Sequence, residues 1–252
     1  MNLPVSSDRH FQVRVLDQEN AAGARCDEVL IATSATGGPG AAVWEAGQGL
    51  AVPRTYERFP GFVSARESFM EQGWPVSVRH SGGGIVPQGP GIINLSLAYP
   101  AIGKPLDHSD AAYHLICGII SAALRTYGVE SHAQPVEGSF CDGRYNLAIG
   151  RGPTARKVVG TAQLWRHHKL GGVPPGVQIV LVHALILAAV NVEAITERAN
   201  SFEHAIGNDK RYGADRVASL HPLSTMRGEP AADFTTSLKR ALLAEIAMAS
   251  AP

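Results

Sequence analysis

Three consecutive glycines, Gly82, Gly83 and Gly84, follow the extended stretch 75–79 and precede a second extended stretch at 92–98. Glycine inside a helix or strand costs roughly 0.5–1 kcal/mol against alanine, so a run of three marks a turn where the backbone must pass close to something else. With Arg79 and Ser81 just ahead of it, such a loop can aim N–H groups at an anion or carbonyl while the guanidinium adds a bidentate contact. The residue order fits neither the dinucleotide fingerprint nor the phosphate-binding loop of nucleotide triphosphatases, and the loop runs into another strand instead of a helix. A glycine-rich hairpin corner without a ligand is the competing reading.

Around this loop, helical and strand periodicities interleave. Strands are expected at 11–16, near Val43, at 49–55, 75–79, 92–98, 145–149, 157–165 and 177–187. Helices are expected at 20–35, at 64–71 with Ser64 as N-cap and Glu67 closing a capping box, at 110–127 between Ser109 or Asp110 and Gly128, and at 233–247. Gly37, Gly38, Pro39 and Gly40 break the chain after the first helix. The hairpin-like spacing of the later strands argues against a purely parallel array, so the fold class is α/β (α+β), a mixed sheet flanked by helices. With 252 residues, no repeat and no low-complexity linker, one domain over 1–252 is expected, with a C-terminal helical segment at about 191–252 packed on it.

Charge narrows the partners. With 22 basic and 22 acidic residues the chain lacks the global electrostatic footprint of a nucleic-acid or anionic-membrane binder, so no nucleic acid and no membrane are expected. The N-terminal residues show no signal-peptide core, and the longest apolar run, 177–190, is interrupted by Gln178 and His183 and falls short of the about 20 residues that span a bilayer. Cys26, Cys117 and Cys141 form neither a disulfide framework nor a cysteine zinc site. A cytoplasmic protein with no metal site is expected; His10, His167 and His168 read as solvated.

Cys141 and Lys157 are the second constellation. A nucleophilic cysteine wants cationic neighbours, which Arg144, Lys157 and Arg151 can supply. Only five of the 22 basic residues are lysines, which singles out Lys157, at the start of an apolar strand, as a cation aimed at a developing oxyanion. Taken alone, a lone cysteine is most often a small buried hydrophobe and a lone lysine a solvated surface residue.

Arg79, Ser81, the glycine run and Val86, then Gly91 and Asn94-Leu95-Ser96, then Lys157-Val158-x-Gly160-x-Ala162-Gln163, then His183, and finally residues 216–220, together resemble the lipoate-protein ligase and octanoyltransferase family. The resemblance runs from Arg79 to the C-terminus and implies a catalytic domain similar to biotin synthetases and class II aminoacyl-tRNA synthetases. It implies Cys141 as the nucleophile of the cysteine-dependent octanoyltransferases and Lys157 as the motif lysine. The acyl or adenylate site would comprise Arg79, Ser81, Gly82, Gly83, Gly84, Gln88, Asn94, Gly160, Gln163 and His183, with Ile85, Leu95 and Leu97 lining the acyl tunnel. Gln88 departs from the histidine of many members, and Ala184 from a common glycine.

The implied reaction moves an octanoyl or lipoyl group from an acyl carrier protein thioester to a lysine of a lipoyl domain, in a 2-oxoacid dehydrogenase or the glycine-cleavage H protein, with no cofactor. The alternative is an ATP-dependent lipoate ligase using ATP and Mg, with Cys141 a bystander. A second alternative is a member that binds acyl carriers without turnover.

Overall fold

The computed structural model describes residues 9–14, 24–167 and 177–252. In chain order the main elements are β1 (Gln12–Val13), α1 (Ala24–Gly37), β2 (Gly40–Glu45), β3 (Gly49–Pro53), α2 (Phe62–Glu71), β4 (Val76–Arg79), β5 (Val86–Gln88), β6 (Ile92–Ile102), α3 (Pro105–Arg125), β7 (His132–Ala133), β8 (Leu147–Ile149), β9 (Arg156–His167), β10 (Val177–Leu187), α4 (Val192–Ala205) and α5 (Ala231–Met248). A large sheet runs β1-β2-β6-β10-β9-β8-β7, and a small one runs β4-β3-β5. Both are mixed: β1 is parallel to β2 and β3 to β4, while the remaining pairs are antiparallel. The expected mixed sheet flanked by helices is the fold observed.

Strand alternation divides the large sheet into two faces. On one, Ile93, Leu95, Leu97 and Tyr99 of β6 with Val180 and Val182 of β10 join Ile116, Ile120, Phe234 and Leu238 of α3 and α5 in the main core. On the other, α1 buries Cys26, Leu30 and Ile31 against Ala42, Ala98, Ile179 and Leu181. The small sheet has its own core with α2 and α4, where the Phe202 ring meets Phe62 and Phe69 edge to face at 6.2 and 5.1 Å. Burying each such large apolar side chain is worth about 1.5–3 kcal/mol. A third cluster, including Ala51, Val86, Phe140, Leu185 and Val217, joins the two sheets. The uncovered stretch of sheet between α1 and the small sheet floors the site.

Several boundaries differ from expectation. Helix α3 begins at Pro105 rather than at Ser109 or Asp110, because proline in the first turn sacrifices no helical bond. Its exit matches: Gly128 follows with φ +72°. Ser64 is not an N-cap; α2 starts after Gly61, and the Ser64 hydroxyl donates back to the Gly61 carbonyl at 3.1 Å. Strand β6 runs on to Ile102 because β10 pairs with it throughout, and β8 starts at Leu147, two residues late. Residues 15–16 of the first expected strand, 20–23 of the first helix, and His168 lie outside the described residues. His167 is exposed, as expected. Among the described residues no helix is long and apolar enough to cross a membrane.

Candidate active site

The floor of the site is built from rows of paired strand residues. Trp44, Asn94, Leu185 and Gly160 face each other across β2, β6, β10 and β9, and one pair further along come Ala42, Ser96, His183 and Ala162. Paired residues share a face, so one register puts Trp44, Asn94, Gly160, Ala162, His183 and Leu185 into one cavity. Its roof is Ala51 and Val86 of the small sheet, with Arg79, Cys141 and Lys157 at the mouth of the glycine loop. The same alternation corrects the tunnel lining: Leu95 and Leu97 face α3 and α5, and Ile85 sits in the small-sheet core. Gln163 also points away from the cavity, and its amide donates to the Ser109 carbonyl at 2.6 Å.

Cys141 has φ +51°, the one non-glycine with positive φ among the described residues. For a non-glycine this left-handed conformation is strained and persists only where its surroundings enforce it. Lys157 enforces it. Its buried Nζ donates to the carbonyls of Phe140 at 2.6 Å and Cys141 at 2.8 Å, with Asn146 Nδ2 adding a longer bond to the Cys141 carbonyl at 3.4 Å. Gly160 makes the room, since a Cβ there would stand 2.9 Å from Nζ. Residues 217–218 run beside the same lysine, Val217 bridging it in parallel and Ala218 N–H donating to the Lys157 carbonyl at 2.8 Å. Burial pulls the Lys157 ammonium down to about 8, against the opposing pull of Cys141 and Asp142.

Arg79 differs from the anion-binding fork expected of it. Its guanidinium donates to the carbonyls of Ala51 at 2.8 Å, Gly82 at 3.1 Å and Gly84 at 2.6 Å, which folds the glycine loop back on β3. Burial lowers its pKa, while Cys141 favours the charge. The cations beside Cys141 are therefore Lys157 and Arg79. Arg144 is exposed and stacks on the Tyr145 ring at 5.1 Å, and Arg151 is exposed on the turn between β8 and β9. The loop itself packs on the cysteine: a Cβ on Gly83 would meet Cys141 Sγ, and one on Gly84 would lie 3.5 Å from the Cys141 Cα.

Gln88 and Asn94 close on each other through two amide hydrogen bonds of 3.1 and 2.9 Å. Ser81 Oγ lies 3.0 Å from His183 Nε2, and His183 Nδ1 lies 3.1 Å from Asp27 Oδ2. Asp27 was not anticipated; an acidic residue in the first turn of α1 reads as a helix-dipole partner, and only the tertiary fold brings it to β10. Glu203 of α4 was also missed. It is fully buried and accepts hydrogen bonds from Tyr56 at 2.6 Å, Tyr212 at 2.5 Å and Asn208 at 2.6 Å. The Tyr56 hydroxyl in turn receives the Ile85 N–H at 3.2 Å, so this buried carboxylate steadies the exit of the glycine loop. Among the described residues no cluster of three or more His, Cys, Asp or Glu could hold a metal ion.

Residues 62–243 match the lipoyl protein ligase A/B catalytic domain. An uncharacterized protein of Cupriavidus necator is 47% identical over 76% of this chain and 76% of its own length. The chain belongs to the lipoyl protein ligase A/B family. As a member of this catalytic family it is an enzyme of lipoate or octanoyl transfer. An octanoyl-[GcvH]:protein N-octanoyltransferase of Kyrpidia tusciae is 32% identical over 60% of this chain, and the match spans half of that relative's length. The same fold is seen in solved structures. Lipoate-protein ligase A bound with ATP superposes with a TM-score of 0.65 at 12% identity, covering 95% of this chain and 85% of its own. Protein Ta0514 of T. acidophilum with bound lipoic acid does so with a TM-score of 0.64 at 13% identity, covering 95% and 84%.

Proposed function

We propose that this lipoyl ligase family member joins an octanoyl or lipoyl group to a lysine of a lipoyl domain, with Cys141 carrying the acyl group between donor and acceptor. The observation that carries this reading is the packing of Cys141 between the glycine loop and Lys157 at the mouth of an apolar cavity. In the first half-reaction the Cys141 thiolate attacks the donor carbonyl, the C–S bond of a thioester donor or the C–N bond of an amide donor breaks, and the departing thiol or amine takes up its proton from solvent. Lys157 fixes the cysteine backbone through two carbonyl bonds and, with Arg79, adds positive charge beside the sulfur. The acyl tail runs along Trp44, Val86 and Leu185, each buried methylene gaining up to about 0.8 kcal/mol. In the second half-reaction the acceptor lysine attacks the thioester.

The donor in this reading is an octanoylated carrier. Octanoyl acyl carrier protein is one form; an octanoylated GcvH is the other, since it is the donor named for the Kyrpidia relative and for a relative from Bacillus velezensis. The acceptor is the lipoyl domain of a 2-oxoacid dehydrogenase or the glycine-cleavage H protein. A second reading is the ATP-dependent ligase, in which the same cavity holds an acyl-adenylate. The two solved structures, one with ATP and one with lipoic acid, favour it at least as strongly as the relatives' names favour the transferase. Free lipoate with Mg and ATP, set against each octanoylated carrier, separates the two. Transfer from a carrier that is lost in Cys141→Ala supports the first reading, and AMP release that survives Cys141→Ala supports the second.

A further inference from the structure

The hydrogen-bond chain Ser96–Asp27–His183–Ser81 is not needed to hold Cys141 or the acyl tail, yet Asp27 and His183 line the same cavity as Cys141 and Lys157. It draws on three separate segments besides the glycine loop: α1, β6 and β10. In the neutral ring its geometry fixes the imidazole tautomer. A carboxylate only accepts, so His183 Nδ1 carries the proton toward Asp27 Oδ2 at 3.1 Å, while the other carboxylate oxygen is occupied by the Ser96 hydroxyl at 2.9 Å. Nε2 is left with its lone pair facing the Ser81 hydroxyl at 3.0 Å. A serine hydroxyl, a bare imidazole nitrogen and an orienting carboxylate in this order form a proton-accepting chain.

We infer that Asp27, His183 and Ser81 form the relay that takes the proton from the attacking lysine of the acceptor protein. This rests on the acyl-transfer reading but not on the choice between its two routes, because an amine attacks the acyl carbonyl in both. An acceptor lysine arrives as an ammonium and must become an amine before it can attack. Lys157 cannot serve, since its ammonium donates to two carbonyls and is already a donor rather than a base. The ammonium passes one proton to Ser81 Oγ as Ser81 passes its own to His183 Nε2, giving a free amine and an imidazolium steadied by Asp27. The amine lone pair forms the C–N bond, and the bond to sulfur, or to the adenylate oxygen, breaks with its electron pair. The second nitrogen proton is shed to the departing thiolate, or to solvent when the adenylate leaves. Water then receives the imidazolium proton. Ser81 and His183 handle the reacting proton, and Asp27 is a positioning residue.

Hydroxylamine provides the test, because it is uncharged at neutral pH and needs no base to become nucleophilic. Enzyme charged with its acyl group, as the thioester from an octanoylated carrier or as the bound adenylate from lipoate with Mg and ATP, is mixed with either a lipoyl domain or hydroxylamine. His183→Gln and Asp27→Asn are compared with the unaltered protein. General-base loss predicts a fall of at least about a hundredfold in transfer to the lipoyl domain, with a much smaller fall for hydroxylamine. Equal losses toward both nucleophiles would mean that His183 only shapes the cavity and would overturn the relay. Undiminished transfer to the lipoyl domain in both variants would overturn it equally. Failure of the unaltered protein to acylate any lipoyl domain would instead overturn the acyl-transfer reading, and the relay with it.

Discussion

The space that a side chain on Gly83 would need is already filled by the sulfur of Cys141, and Gly83 has φ +104°. Both facts penalise substitution. The backbone conformation alone costs an ordinary residue about 1–3 kcal/mol, and a Cβ adds a collision that only movement of the loop or the thiol can relieve. Gly83→Ala is therefore expected to lower stability by that amount and to change Cys141 alkylation by iodoacetamide. A variant with native unfolding midpoint and native alkylation rate would mean that the loop and the thiol do not share this space in solution.

Lys157 combines burial with charge. Lys157→Ala leaves the carbonyls of Phe140 and Cys141 without their donor and frees the cysteine backbone they hold, and is expected to cut transfer by about a hundredfold, the scale of a reacting group misplaced by about 1 Å. Its pH dependence has a definite sign. The folded-state value of about 8 lies below the ordinary 10.5 because burial opposes the charge, so below pH 8 both folded and unfolded chains hold the proton and the folded state bears the burial penalty. Between 8 and 10.5 the unfolded chain binds more protons, and the stability attributable to this lysine rises with pH. The neutral amine keeps two N–H donors for the two carbonyls. Urea unfolding of the native protein and Lys157→Met across this window should differ by that rise; parallel curves would contradict it.

Glu203 holds three donors at once, Tyr56 from the segment after β3 and Asn208 and Tyr212 from the loop that follows α4. In Glu203→Gln one acceptor oxygen is replaced by an NH2 group that faces the donors, so a loss of about 2–3 kcal/mol is expected, in the range of hydrogen bonds to charged groups. The same change removes the anchor of Tyr56, whose hydroxyl receives the Ile85 N–H, and backbone hydrogen exchange at Ile85 should quicken. Tyr56→Phe should reproduce the faster exchange with a smaller loss of stability. Unchanged exchange at Ile85 in both would separate the carboxylate from the loop.

The closed pair of Gln88 and Asn94 answers the departure from histidine at position 88. The two amides pair with each other, so no titratable group faces the cavity from this position. Gln88→Leu or Asn94→Leu alone strands a partner and is expected to cost about 1–3 kcal/mol, whereas the double substitution should cost less than the sum, with a coupling of about 0.5–3 kcal/mol. Strict additivity in chemical unfolding would argue that the two amides do not pair.

What could be read in advance follows the range of the interactions concerned. The glycine run, the α3 stop at Gly128 and the strands around Lys157 are local, carried by backbone freedom and period-two alternation. Lys157 and Cys141 stood out through residue type, spacing and family resemblance. Arg79 did not act as expected because whether a guanidinium meets a ligand or three carbonyls depends on where β3 runs. Gln163 was misplaced for a simpler reason: strand parity sends 160 and 162 to the cavity and 163 to α3, once the paired strands fix the facing. Asp27, Glu203 and Tyr212 carry no local signal. The His183 partner of Asp27 and the Tyr56 partner of Glu203 lie 156 and 147 positions away along the chain, and only the packed fold brings them together.

The acyl-enzyme itself is the most direct test of the account. Intact-protein mass spectrometry after brief mixing with octanoyl acyl carrier protein or octanoylated GcvH should find one octanoyl group added. Peptide mapping should locate it on Cys141, hydroxylamine should remove it, and Cys141→Ser should not form the thioester. A subsequently added lipoyl domain should take it up as the enzyme loses it. Absence of any adduct from either donor, together with lipoyl-domain modification by Cys141→Ala that requires lipoate, Mg and ATP, would contradict the acyl-enzyme and assign the cavity to an adenylate.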